Sequence, residues 1–238
     1  VTAPLGLLAL VLGVGQQAPV LAPIADNSFL IEEAYNQEPR VVQHINTLMR
    51  FNGRWAYSFT QEWPVRVQRH QVSYTVPVER GVGDVALNYR HQLAGSEAFA
   101  FAPRVSLLLP TGNADRGFGT GGVGYQMNLP LSIGAGPRLV THWNGGVTFS
   151  PAIDETVYNA GASAIFRAHP MVNLMLELAW SGIDGGQDEL LLNPGVRWAH
   201  NIPGRAGLQV VPGIAVPIEI GGEGTTGVFL YLSLEHGF

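Results

Sequence analysis

From Val41 to Phe238 apolar and polar side chains alternate with a period of two, broken at intervals by Gly, Pro, Asn and Asp clusters. The run from Val228 onward shows the pattern most cleanly. Val228, Leu230, Leu232, Leu234 and Phe238 share one parity, while Phe229, Tyr231, Ser233, Glu235 and Gly237 take the other. Successive side chains of a strand point to opposite faces, so this run has one oily face and one mixed face. The whole chain, treated in the same way, predicts about twelve strands. They fall near residues 41–50, 54–64, 70–78, 83–94, 98–109, 122–133, 138–149, 157–167, 171–181, 190–200, 206–219 and 226–238. Most run to ~10 residues or more, against about 5–6 in soluble sheets, and strands of ~9–11 are what a tilted barrel needs to cross hydrocarbon. An even strand count suits a single-chain antiparallel barrel. The fold class expected is all-β, a transmembrane up-and-down antiparallel barrel.

Charge placement sorts the two faces. The apolar parity carries Val85, Leu87 and Tyr89, then Phe101, Val105, Leu107 and Leu109, then Leu174, Leu176, Leu178 and Trp180. Glu62, Asp84, Arg90, Arg104, His142, Glu177, Arg197, Glu219 and Glu235 fall on the opposite parity and are the expected pore lining. Arg on a lipid face costs roughly 2–4 kcal/mol at mid-bilayer and about 0–1 near the interfaces. The polar parity therefore faces a wet lumen and the oily one faces lipid. His91, His200, His236 and Gln61 sit on the oily parity, but each lies near the end of an even-numbered strand, where polarity costs little. Trp55, Tyr125, Phe149 and Trp180 gather toward one end of the strands, and Trp63, Tyr89, Phe99, Phe166, Trp198 and Phe238 toward the other. Aromatic girdles of this kind mark the two interfaces of a membrane barrel.

Ahead of the barrel, which spans 41–238, lie two further segments. Residues 1–25 hold the apolar run Leu5–Val14, the length of a signal-peptide core, although no basic residue precedes Arg40. In residues 26–40, Asp26-Asn27-Ser28 precedes Phe29 to Tyr35 with Glu32 and Glu33 in the first turn, which predicts a short helix. That segment is expected as a periplasmic lead-in, with a plug in the lumen as the alternative.

Composition agrees with the barrel. Only 13% of residues are charged and all 13 basic residues are Arg, whereas a water-bathed surface normally mixes many Lys and Glu. A net charge of −5 with no basic stripe excludes nucleic acid as a partner. The absence of Cys excludes disulfides and thiolate metal sites.

Few motifs carry chemistry. Gly119 to Gly124 has dinucleotide-fingerprint spacing, but a strand follows it where the mechanism needs a helix N-terminus. His142 shares the inner face with Asn144, near Ser106 or Ser132, without spacing that marks a nucleophile. The seven His form no metal-ligand cluster by spacing. Asp115, Asp154, Glu155, Asp184, Asp188, Glu189 and Glu223 place negative charge in the outer loops. No catalytic residue, metal or cofactor is expected.

Three stretches carry a resemblance: Gly81 to Leu87, Pro103 to Gly112 with its Pro-Thr-Gly ending, and Gln126-Met127-Asn128-Leu129-Pro130. They are similar to a family of Gram-negative envelope proteins labelled as transporters and as the MetA-pathway of phenol degradation family. The final Phe238 likewise resembles the closing residue of bacterial outer-membrane barrels, where it is an assembly signal. The resemblance implies an outer-membrane channel for small aromatic or amphipathic solutes, with lipid and the outer-membrane assembly machinery as partners. A closed structural or adhesive barrel acting through its loops, and an outer-membrane lipid-modifying enzyme using His142, are the alternatives.

Overall fold

The computed structural model describes residues 23–238 apart from 97, 203–206 and 223. The apolar run Leu5–Val14 and loop residue Glu223 lie outside them. Twelve antiparallel strands form one closed barrel among the described residues. They are β1 (Val41–Phe51), β2 (Arg54–Val65), β3 (Val67–Val78) and β4 (Val85–His91, then Ala94–Gly95). Next come β5 (Phe99–Phe101 and Arg104–Leu109), β6 (Gly124–Asn128 and Leu131–Gly134), β7 (Leu139–Ser150) and β8 (Glu155–His169). The last are β9 (Val172–Ile183), β10 (Asp188–Trp198 and His200–Asn201), β11 (Gln209–Ala215 and Ile218–Glu219) and β12 (Val228–Gly237).

Each strand pairs with its neighbours in chain order, and β12 returns to β1 with Val41 opposite Gly237 and Arg50 opposite Val228. Closure removes the unpaired edges of an open sheet. Local chemistry sets the hairpins: Asn52 and Gly53 both have positive φ, as a two-residue primed turn requires. Proline sets two of the breaks. Pro103 and Pro130 interrupt β5 and β6 side by side, because a proline has no N–H for the ladder. The end at which β1 begins is called the lower end below.

The barrel is inverted relative to a water-soluble domain. Leu174, Leu176 and Leu178 are exposed on its outside, while the alternating Asn173, Met175 and Glu177 are buried inside. The same alternation exposes Leu230 and Leu232 and buries Phe229, Tyr231 and Ser233. Trp55, Tyr125 and Phe149 are exposed toward the upper end, and Tyr89, Phe99, Phe166 and Phe238 toward the lower end.

The segment ahead of β1 differs from the helix expected there. Residues 23–38 are irregular and extended, and they run inside the barrel. The Ile24 N–H donates to the Pro170 carbonyl in the lower β8–β9 turn. Phe29, Leu30 and Ile31 reach Glu177 midway along β9, and Gln37 descends to Gln71 near the base of β3. A helix fails here because the amides of its first turn find a carboxylate on the barrel wall.

Placing a charge on the outer belt tests the sidedness. Leu176→Arg is expected to destabilise the folded protein in lipid vesicles by about 2–4 kcal/mol, read from reversible urea unfolding, whereas Arg at the rim position Phe238 should cost about 0–1 kcal/mol.

Candidate functional site: the lumen and its N-terminal plug

Two arginines on adjacent strands define the middle of the lumen. Arg90 on β4 and Arg104 on β5 are paired in register, so their side chains enter side by side. Both grip the N-terminal segment. The Arg104 Nε lies 2.8 and 3.1 Å from the two carboxylate oxygens of Glu32, and its Nη1 donates to Asn88 at 3.0 Å and to Ser106. The Arg90 Nη1 lies 3.2 Å from Glu32 Oε1, and its other bonds run to the Glu33 carbonyl (2.9 Å), the Tyr35 carbonyl (2.6 Å) and Asn36 Oδ1 (2.7 Å). Asn128 donates to Glu32 Oε2 at 2.8 Å. The carboxylate that pairs directly with both arginines thus comes from the plug.

Glu177 is the second anchor. Its Oε1 accepts the backbone N–H groups of Phe29, Leu30 and Ile31 at 3.0, 2.8 and 3.2 Å, and its Oε2 accepts from Asn193 at 2.6 Å. Three amides converging on one charged oxygen form the kind of charge-assisted cradle that outlasts neutral bonds. Arg197 donates to the Asn27 carbonyl and stacks over Tyr231, its guanidinium carbon 4.8 Å from the ring centre. Phe29 packs on Phe229 and Tyr231, with ring centres 5.2 and 5.4 Å apart. The wall is shaped for this ring: a Cβ on Gly195 or Gly213 would lie 2.6 or 2.7 Å from Phe29 atoms.

The remaining sequence-predicted residues are spread along the barrel. His142 bonds Ser132 Oγ through Nδ1 (2.7 Å) and the Asp26 carbonyl through Nε2 (2.8 Å). Both side chains are fully buried and Ser132 already accepts from the Ala34 N–H, so this Ser–His pair ties down the plug and presents no accessible nucleophile. Glu62 accepts from Gln71 at 3.0 Å, and Glu235 accepts from Gln43 at 2.8 Å near the lower end. Asp84 and Glu219 lie at the upper rim. Asp84 accepts the Gly112 and Thr120 N–H groups and the Thr120 hydroxyl, pinning the β5–β6 loop, while Glu219 faces the Thr225 N–H at 3.4 Å. Phe238 donates its N–H to the Arg40 carbonyl and completes the seam.

Above the plug lies a cavity of about 710 Å³, and below it a second of about 910 Å³ bounded by Tyr35, Arg138 and Arg167. The upper cavity is polar on its walls, with Glu62, Asn88, Gln126 and Asn144, and apolar at its floor, with Phe29, Leu30 and Tyr231. Sequence periodicity placed the wall residues but missed Glu32, whose only signal was two adjacent carboxylates in an otherwise apolar stretch.

No protein-family model and no curated protein sequence matches this chain. Solved structures do. The KdgM porin superposes with a TM-score of 0.60 at 10% identity, over 82% of this chain and 99% of that one. The NanC porin gives 0.59 at 6% identity, over 83% and 100%. An outer membrane channel from Pseudomonas putida F1 gives 0.59 at 14% identity, over 86% and 98%. The fold is therefore that of twelve-stranded outer-membrane barrel channels.

Burial opposes ionisation of Glu32, but Arg104 and Arg90 overcome it and hold its carboxyl below the ordinary 4.5. Burial of Glu33, only partly offset by Arg90, pushes that carboxyl up. The signs oppose. Docking gains as pH falls through the raised Glu33 value, and is lost again as pH falls below 4.5 and Glu32 takes up a proton. Glu32→Gln should weaken docking by on the order of 3 kcal/mol, since it removes the carboxylate paired with two arginines, whereas Glu33→Gln should tighten it at neutral pH. Amide hydrogen exchange at Phe29–Ile31 reads both.

Proposed function

We propose that this chain is an outer-membrane channel for small solutes whose conductance is held low by residues 26–38. The observation that carries the proposal is the polar lumen itself: a cavity of about 710 Å³ faces the upper end and rests on a plug fixed by hydrogen bonds and ion pairs. Water can take over polar contacts of this kind when the plug leaves, as it cannot for an apolar core. Docking sets the Glu32 carboxylate against Arg90 and Arg104, so a displaced plug leaves a more positive constriction. Fixed charges at a narrow point select ions and orient polar solutes.

The outward apolar belt would face lipid, and Phe238 at the barrel seam would be the feature read by the assembly machinery. The resemblance to the MetA-pathway of phenol degradation family adds a solute class. An amphipathic aromatic compound suits a cavity with polar walls and a floor of Phe29, Leu30 and Tyr231. The plug across the lumen also favours a second reading, a closed barrel that works through the loop pinned by Asp84.

Planar-bilayer recording separates the two. The channel reading expects small unitary currents from the intact protein, a severalfold rise on deleting residues 26–38, and a shift toward anions in Glu32→Gln. No conductance from either the intact or the deleted form, with partner binding lost on trimming residues 110–121, would establish the closed barrel. Liposome flux of aromatic against aliphatic acids tests the solute class.

A further inference from the structure

The first and last strands of the barrel each place a histidine on the outer face near the lower rim. His44 on β1 faces Leu234, and His236 on β12 faces Val42, so the two imidazoles are diagonal neighbours across the closing seam. Their Nε2 atoms are 3.2 Å apart and their ring planes are tilted by only 25°. The His236 Nδ1 lies 2.9 Å from the Gly237 carbonyl, an oxygen that can only accept, so the Nδ1 carries the proton and the Nε2 carries the lone pair. A ring fixed by a backbone carbonyl in this way is the usual outer-shell arrangement of a metal-bound histidine. Two imidazole nitrogens at about 2.0–2.1 Å from one tetrahedral metal stand about 3.3 Å apart, close to the separation found here.

We propose that His44 and His236 form a two-histidine site for a divalent transition metal, Zn²⁺ or Cu²⁺, that clamps the seam where the barrel closes. In the metal-free state the His44 Nε2–H donates to His236. On binding, that proton moves to the His44 Nδ1, both Nε2 lone pairs turn to the metal, and no net proton is released. Neutral imidazole suits these ions, and affinity rises from Zn²⁺ to Cu²⁺. Solvent supplies the remaining positions, since Gln61, which faces His44 from β2, already accepts from the Tyr74 hydroxyl. Among the described residues no group of three or more His, Asp or Glu could hold a metal, and a search by sequence spacing passes over this pair because its members are 192 residues apart.

His70 and His91 provide an internal comparison. They face each other across β3 and β4 with rings tilted by 26°, much as at the seam, but their centres are 4.7 Å apart against 5.3 Å there, and the His70 Nδ1 is engaged by the Tyr89 hydroxyl.

The test uses the untagged full chain, extracted in detergent and stripped with EDTA, with Zn²⁺ and Cu²⁺ as probes. Zn²⁺ is expected to raise the thermal unfolding midpoint, saturably and at one equivalent. The shift should be lost in His44→Gln and in His236→Gln and retained in His91→Gln. Absence of saturable binding, or binding unchanged in both seam variants, overturns the proposal, as does binding lost only in His91→Gln. The Cu²⁺ paramagnetic resonance spectrum of the unaltered protein needs no variant. Hyperfine coupling to two imidazole nitrogens is expected, and coupling to one or none is the contrary result.

Discussion

A closed sheet with oil on its outside must deal with everything polar on its inside. Each inward Arg, Glu, His or Asn has lost bulk water, and a buried polar group left without a partner costs roughly 1–3 kcal/mol, more if charged. Here the plug meets much of that demand, leaving the Arg197 Nε and Nη2 and the Tyr231 hydroxyl without a hydrogen-bond partner among the described residues. Its amides satisfy Glu177, its Glu32 satisfies Arg104 and Arg90, and its carbonyls take donors from Arg90, Arg197 and Asn173. The lumen wall and the N-terminal segment are therefore one hydrogen-bonded unit.

That constraint orders the rest of the molecule. Because the plug crosses the lumen, the open volume is divided into about 910 Å³ below it and about 710 Å³ above it, the upper part lying between walls of Asn, Gln and Thr and a floor of Phe29 and Leu30. Because the wall glycines Gly195 and Gly213 leave room for one aromatic ring, the segment has a defined seat. And because the grip is ionic at Glu32 while the Glu33 carboxyl is buried beside it, the seat responds to charge and to pH.

The barrel was legible in the sequence because lipid outside and water inside force a strict alternation along every strand. The strand expected at 138–149 is Leu139–Ser150, and the one at 171–181 is Val172–Ile183. Where the expectation slipped, a turn was the cause. β3 begins at Val67 and not at residue 70, because Arg66 takes a positive φ and joins β2 to β3 almost directly. The plug was illegible for a different reason. Asp26-Asn27-Ser28 reads as a helix cap only if the following amides find acceptors nearby, whereas those of Phe29 and Ile31 find theirs 148 and 146 residues away. Periodicity also assigns Arg90 and Arg104 to the lumen without naming the carboxylate between them.

The seating of the plug is the claim on which the functional account turns, and a chain without cysteine allows it to be tested directly. The hydroxyls of Ser28 and Ser163 are 2.6 Å apart, one on the plug and the other on the inner wall of β8. In a Ser28→Cys, Ser163→Cys double variant the two thiols should oxidise to a disulfide in the folded protein without added catalyst, shown by a gel shift that reductant reverses. Thiols that stay free in the folded barrel, and that react with a bulky maleimide from the lower side, would place the segment outside the lumen and contradict the account.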